Sequence, residues 1–163
     1  MGSNSDKVAE IEKQIFSSFS AVATTIGYSD VHGKIIAALL VENKPVSLQE
    51  LAKKISYSPA MLSLSIDFLE VLGVVKRVKK TGDRQLYIVF QGSLLDCLRK
   101  AILFKAEKSI TDSVGAFEQQ KKELQQINSG EEKEKVLRAL NILQKEINRL
   151  QKYLKILSKL KLP

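Results

Sequence analysis

The chain has 163 residues, 44% hydrophobic and 27% charged, which is enough apolar material for a packed core. It has no run of about 18 apolar residues, which argues against a membrane-spanning helix, and its first ten residues lack the apolar segment of a signal peptide. We therefore expect a cytoplasmic protein with no membrane partner. The net charge of +8 favours an acidic partner.

Two helices are predicted at the start of the chain. The first runs from about Lys7 to Thr25, because apolar residues recur there at spacings of three and four. This apolar stripe consists of Val8, Ile11, Ile15, Phe19, Val22 and Ile26. The break at 27–30 separates it from a second helix, roughly Val31 to Glu42, which Ser29 or Asp30 can cap.

The next segment predicts a helix-turn-helix. Ser47 can cap a helix that ends at Ile55, and Glu50, three residues after the cap, can close a capping box. Ser58 and Pro59 are typical of the start of another helix, which stops at Gly73. Its apolar positions have helical spacing and are Leu62, Ile66, Leu69 and Leu72.

A basic β-hairpin follows, and it completes the pattern of a winged helix. The β-type runs 74–79 and 84–90 are joined by a turn signal at 81–83. Val46, just before Ser47, is at a position that pairs with this hairpin, the wing, in many winged helices. Five of the nine residues from 76 to 84 are basic, and we predict that they contact DNA phosphates; a solvated lysine-rich turn is the alternative. These wing residues are Lys76, Arg77, Lys79, Lys80 and Arg84. Arg84 has a second possible partner in the carboxylate of Asp83.

The helix that begins at Pro59 is the predicted recognition helix, because such a module usually places one helix in the DNA major groove. Its predicted base-contacting residues are Ser58, Ala60, Met61, Ser63, Leu64 and Ser65. No Arg, Lys, Asn or Gln is among them, and Asp67 is repelled by phosphate, so we expect weak base recognition. Alternatively, Met61, Leu64 and Phe68 pack on the opening helix or bind another protein.

The last third of the chain predicts two long helices, about 93–127 and 131–161, joined by a turn at 128–130. Apolar residues in the second helix alternate steps of four and three, which is typical of a coiled-coil seam between two chains. The predicted dimerisation residues are Val136, Leu140, Leu143, Ile147, Leu150, Leu154 and Leu157. An intramolecular hairpin with residues 93–127 is the alternative.

Residues 27–90 resemble the MarR superfamily of winged-helix regulators, and most closely its GbsR-like branch. The most specific part is FLEVLGVVKRV followed by GDR and a tyrosine. The resemblance implies a mainly α fold with a small β-hairpin: an N-terminal helix (1–28), a winged helix-turn-helix (29–92) and a helical dimerisation arm (93–163). It also implies a homodimer that binds double-stranded DNA, and some members respond to small molecules.

Other kinds of site have little support in the sequence. His32 and Cys97 are each the sole residue of their type, so no His and Cys set for a metal exists, and no cofactor motif or nucleophile motif appears. We therefore do not expect an enzyme. Four aromatic residues could line a pocket for a small-molecule effector, although ordinary core packing explains them better: Phe16, Phe19, Phe104 and Phe117.

Three functional hypotheses remain at this point. The first is a homodimeric transcription regulator, a repressor as the resemblance implies, whose wing holds phosphates while the helix from Pro59 enters the major groove. The second is an adaptor that uses the winged helix to bind another protein. The third is an architectural DNA-binding protein with no favoured site.

Overall fold

The computed structural model describes residues 4–83 and 85–162, and the chain divides into two compact units, Met1–Ala101 and Ile102–Pro163. The described residues form six helices and three short strands, which confirms the predicted mainly α class with a small sheet. In chain order these are α1 (Asn4–Thr25), α2 (Asp30–Glu42), β1 (Val46–Ser47), α3 (Leu48–Ile55), α4 (Pro59–Val71), β2 (Val75–Lys79), β3 (Leu86–Phe90), α5 (Leu94–Gln125) and α6 (Glu131–Leu157). None of the described helices is both long enough and apolar enough to cross a membrane.

Small residues hold α1 against α2. Gly33 of α2 lies so close to α1 that a Cβ atom placed on it would be 2.7 Å from the Ser20 Cα. The Ser20 hydroxyl also donates to the Asp30 carboxylate at 2.7 Å. The buried face of α1 is therefore Phe16, Ser20 and Ala23, whereas most of the apolar stripe predicted from the sequence is exposed.

The winged core is built from α2, α3, α4 and a three-stranded antiparallel sheet in the order β1-β3-β2. Val46 of β1 pairs with Ile88 of β3, so the segment before α3 joins the wing as the sequence predicted. The β2–β3 hairpin pairs Val75 with Phe90 at its base and Lys79 with Leu86 near its tip. The largest fully buried side chains of this core are aliphatic and include Ile35, Ile36, Leu51, Leu62, Ile66, Leu69, Val74, Val75 and Ile88.

The predicted helix caps are present. Ser47 accepts a hydrogen bond from the Glu50 backbone N–H, and the Glu50 carboxylate accepts one from the Ser47 backbone N–H at 3.0 Å. Ser58 caps α4 by accepting from the Met61 backbone N–H at 3.3 Å. These caps satisfy backbone donors that the first helical turn leaves free, and they fix where α3 and α4 begin.

In the second unit, α6 lies beside the C-terminal part of α5. The Lys121 ammonium donates to the Gln144 side-chain oxygen, and the Lys133 ammonium donates to the Ile127 carbonyl at 2.8 Å. The turn between the helices reverses the chain, so the two helices run antiparallel. Ile110 and Leu140 are among the buried residues of this unit.

The structure divides the predicted dimerisation seam into two rows. Leu140 and Leu154 are buried within the single chain, and Ile147 and Leu157 are half-buried, which agrees with the alternative of an intramolecular helix pair. For Leu140 and Leu154 the intermolecular contact is therefore corrected to an intrachain one, because each already packs in its own chain. The other row stays exposed to solvent: Val136 (45%), Leu143 (50%) and Leu150 (44%). Dimerisation through that row remains a prediction.

Candidate nucleic-acid interface

The β2–β3 hairpin presents three lysines to solvent. Lys76, Lys79 and Lys80 are exposed, and among the described residues no carboxylate forms an ion pair with them. Gly82 has a φ of 81°, a conformation that glycine adopts at little cost, and this lets the hairpin turn. Arg84, the fifth predicted wing residue, lies outside the described residues. The wing therefore displays a cluster of positive charge that is available to a ligand.

Asp83 and Tyr87 order the tip of the wing. The Asp83 carboxylate accepts hydrogen bonds from the Gln85 backbone N–H at 2.9 Å and from the Tyr87 hydroxyl at 2.6 Å. The hydrogen bond to Asp83 raises the pKa of Tyr87. The Lys80 ammonium lies 3.9 Å from the centroid of the Tyr87 ring, within the range of a cation–π interaction. Lys80 is thus held in place without losing its charge.

Arg77 is held by two carboxylates of α4, although the sequence predicted that it contacts DNA phosphates together with the three lysines. Its guanidinium forms ion pairs with Asp67, at 2.6 Å, and with Glu70, and its backbone N–H donates to Glu70 at 3.0 Å. The alternation of side chains along β2 places Arg77 on the side of the strand that faces α4. We correct its role accordingly: Arg77 joins the wing to α4 and neutralises two carboxylates on that helix.

Replacing Arg77 with Gln is expected to lower the free energy of unfolding by about 1 kcal/mol, since two partly exposed carboxylates lose their partner. Urea denaturation would measure the loss. The matched control is Lys76→Gln, which removes the same charge from an exposed neighbour on β2 and should change stability by less than about 0.5 kcal/mol. Equal effects of the two substitutions would contradict the structural role of Arg77.

All but one of the residues predicted to contact bases are accessible to solvent, and their contact with DNA remains a prediction. Ser58, Ala60, Met61 and Leu64 are exposed and Ser63 is half-buried. Ser65, however, is only 7% exposed and cannot reach a base. The helical period explains this error, because position 65 lies on the same side as the buried residues 62, 66 and 69.

His32 links the start of α2 to α4. Its Nδ1 accepts a hydrogen bond from the Ser29 backbone N–H at 3.2 Å, so His32 takes part in the capping box of α2. Its ring stacks on Phe68 of α4 with a centroid separation of 4.8 Å, and the ring of Tyr28 meets its edge at 6.0 Å. Burial lowers the pKa of His32 below its usual value of 6.5. His32 therefore helps to cap α2, and its ring also supports α4.

This arrangement predicts a stability that depends on pH. Because the folded-state pKa of His32 is depressed, its contribution is fully present above the unfolded-state pKa of about 6.5 and is lost as the pH falls below it. We expect the midpoint of thermal unfolding to drop between about pH 7.5 and about pH 5.5. His32→Gln, which cannot titrate, should show a smaller drop, and an equal drop in both proteins would show that other groups cause it.

Two further lysines, missed by the sequence analysis, lie beside the wing. Lys44 and Lys53 line a cavity of about 550 Å³ together with Lys80 and Tyr87, and we refer to these four residues as the basic groove. Glu42 and Glu50 also lie in its wall, where Lys44 pairs with Glu42 at 3.3 Å. Lys54, in the same wall, is paired with Glu12 and Glu42. The pairing of β1 with β3 brings residue 44 next to the wing, so the predicted strand contact at Val46 was the signal that could have identified it.

The four phenylalanines of the possible effector site belong to different units. Phe16 is buried and Phe19 half-buried in the core of the first unit. In the second, Phe117 is half-buried and Phe104 is 44% exposed. Within the described residues, no cluster of three or more His, Cys, Asp and Glu is placed to hold a metal ion. A small-molecule effector remains a prediction.

Comparisons with known proteins identify the fold. No family model and no curated protein matches the sequence. The chain is similar to a crystal structure of a transcriptional regulator, with 16% identity and a TM-score of 0.58, covering 91% of this chain and 99% of that one. It also aligns with MepR, a transcription regulator of the Staphylococcus aureus multidrug efflux pump MepA (17% identity, TM-score 0.41, 91% of this chain and 99% of that one). A third similar structure is Lactococcus lactis ZitR, a zinc-responsive MarR family member (14% identity, TM-score 0.38, 73% of this chain and 76% of that one).

The GbsR-like branch stays a prediction. Membership of the MarR superfamily likewise stays a prediction, and the chain has the predicted winged helix-turn-helix fold, which it shares with the first of these structures.

Proposed function

We propose that this protein is a homodimeric, DNA-binding transcription regulator of the GbsR-like branch, and that it acts as a repressor. One observation carries the proposal. Lys76, Lys79 and Lys80 stand exposed on the wing, and no described carboxylate forms an ion pair with them. Arg77 fastens this hairpin to a helix whose N-terminal turns face solvent. A cationic hairpin beside an accessible helix suits a DNA duplex, which offers phosphates beside a groove wide enough for a helix.

The wing and the basic groove would supply most of the affinity. Lys79 and Lys80 contact phosphates from the wing, and Lys76 and Arg84 are the further phosphate contacts predicted from the sequence. Lys44 and Lys53 extend the positive surface toward α3. Contacts of this kind release counterions and carry no sequence information by themselves. They set the register of the protein on the duplex.

The recognition helix α4 would enter the major groove through its N-terminal half. Ser58, Ala60, Met61 and Leu64 are the exposed residues there, and Ser63 is partly accessible. The negative charges further along the helix are held by Arg77 and therefore repel the phosphates less than free carboxylates would.

Homodimerisation would use the exposed row of α6, Val136, Leu143 and Leu150. A two-fold dimer presents its two recognition helices about 34 Å apart, which is one turn of DNA, and so favours palindromic sites. A dimer seated on such a site near a promoter would block transcription from it.

The test is fluorescence-anisotropy binding to two duplexes, one of random sequence and one from upstream of the protein's own gene. We expect affinity for both to fall steeply as salt rises, with the slope of log K against log salt set by the number of phosphates contacted. Tighter binding to the upstream duplex is the expected result for a regulator. Equal binding to both would favour the architectural alternative.

One observation favours the adaptor as a second candidate. Met61, Leu64 and Val71 form an exposed apolar face on α4, and such faces also occur at protein–protein contacts. The same titration separates the two functions, because an adaptor would bind neither duplex even at low salt.

A further inference from the structure

The outward side of α4 is apolar where it meets solvent. Leu64 is 74% exposed and Met61 is 50% exposed, and both lie in the first two turns of the helix. Val71, at the opposite end, is 86% exposed. The inward side of the helix is occupied by Leu62, Ser65, Ile66 and Leu69, so Met61 and Leu64 take no part in the core.

The surroundings of this apolar face are cationic. Lys76, Lys79 and Lys80 follow it on the wing, and the carboxylates of Asp67 and Glu70 are engaged by Arg77. A partner that fits both features carries negative charge at its edges and apolar groups at its centre. The major groove of DNA has this character wherever it contains thymine, because phosphates line the groove and the C5-methyl group of thymine projects into it.

We propose that Met61 and Leu64 are specificity-determining residues that contact thymine methyl groups, so that the protein prefers duplexes rich in A·T pairs. The inference rests on the proposed function, since it requires α4 to enter the major groove. Recognition helices contact base edges through their N-terminal residues, which selects Met61 and Leu64 and leaves Val71 outside the contact. This explains why Arg, Lys, Asn and Gln are absent from the base-contacting positions. The helix would recognise bases by apolar contact with their methyl groups and not by hydrogen bonds to their edges.

The expected preference is modest for each base and accumulates over a site. Burying one methyl group contributes about a fourfold increase in affinity. Two contacted thymines would therefore favour a site about sixteenfold over the same site without the methyl groups.

The experiment changes only the methyl group. Binding is measured by anisotropy on an alternating A·T duplex and on the same duplex with deoxyuridine in place of thymidine, each long enough for two half-sites. We expect the deoxyuridine duplex to bind more weakly, by about fourfold or more. In the reverse direction, a G·C duplex should bind more tightly when its cytosines are replaced by 5-methylcytosine, which restores a methyl group at the same place in the groove.

Two variants assign the effect to residues. Leu64→Ala shortens an exposed side chain and should reduce the difference between thymidine and deoxyuridine duplexes, whereas Val71→Ala, the matched control, should leave it unchanged. Equal wild-type binding to both duplexes, with salt dependence intact, would overturn this inference while leaving the DNA-binding function standing. A thymidine preference that Leu64→Ala does not alter would overturn the assignment to Leu64. Failure to bind any duplex would overturn the proposed function, and this inference with it.

Discussion

The double substitution Lys79→Ala/Lys80→Ala is expected to weaken DNA binding more than any other exposed change. Both lysines stand on the wing without an ion pair among the described residues. Each lost phosphate contact lowers the slope of log K against log salt by about 0.9. Two lost contacts therefore reduce the magnitude of that slope by about 2, and they reduce affinity roughly thirtyfold at about 0.15 M salt, for each protomer that contacts the duplex. Anisotropy titrations over a range of salt concentrations measure both quantities.

The matched control removes the same charge elsewhere. Lys152→Ala/Lys155→Ala takes two exposed lysines from α6, in the second unit, and changes the net charge of the protein by the same amount. If only net charge governs association, both double variants will lose affinity equally, and the wing will have no special role. Loss confined to the wing variant, with circular dichroism spectra unchanged, is the result that supports phosphate contacts at Lys79 and Lys80.

Most of the winged fold could be predicted because its signals are local. The capping box of Ser47 and Glu50 and the start of α4 at Ser58 and Pro59 each depend on residues within four positions of one another. Hairpin pairing likewise follows from the turn at Gly82. Local preferences of this kind predict the folded structure well when the tertiary contacts favour the same conformation.

The roles of individual side chains were harder to predict because they depend on distant partners. Arg77 could be counted as a wing cation, but only the structure brings it to Asp67 and Glu70. The apolar residues of α6 have the periodicity of a contact between two chains, but Leu140 and Leu154 are already buried within a single chain. Periodicity shows that a face is covered and does not show which helix covers it.

The exposed apolar stripe on α1 illustrates the same limit. The sequence predicted an apolar stripe on α1 that includes Ile11, Ile15 and Val22. These three residues are exposed, and the face of α1 that packs on α2 contains Ser20 and Ala23. Two helices can approach closely only where side chains are small, and the approach at Gly33 selected that face. Hydrophobicity alone does not reveal such a steric requirement.

Gly33→Ala is accordingly expected to destabilise the protein by about 2 kcal/mol. The added Cβ would lie 2.7 Å from the Ser20 Cα and 3.0 Å from the Ala23 Cβ, so one helix backbone would have to move. Moving α1 would also stretch the hydrogen bond from the Ser20 hydroxyl to the Asp30 carboxylate. The midpoint of thermal unfolding should fall by about 6 °C, and urea denaturation should give the loss of free energy directly.

The same substitution at another helical glycine should have the opposite sign. Gly115 lies within α5, and a Cβ added there would have no heavy atom within 4 Å, so Gly115→Ala meets no steric barrier. Alanine restricts the unfolded chain and favours the helix, and we expect Gly115→Ala to stabilise the protein by about 0.5 to 1 kcal/mol. Opposite signs at the two positions would locate the steric constraint at the α1–α2 crossing. Stabilisation at both would mean that α1 can yield to a methyl group at Gly33, and the close packing described for Ser20 and Ala23 would then be wrong.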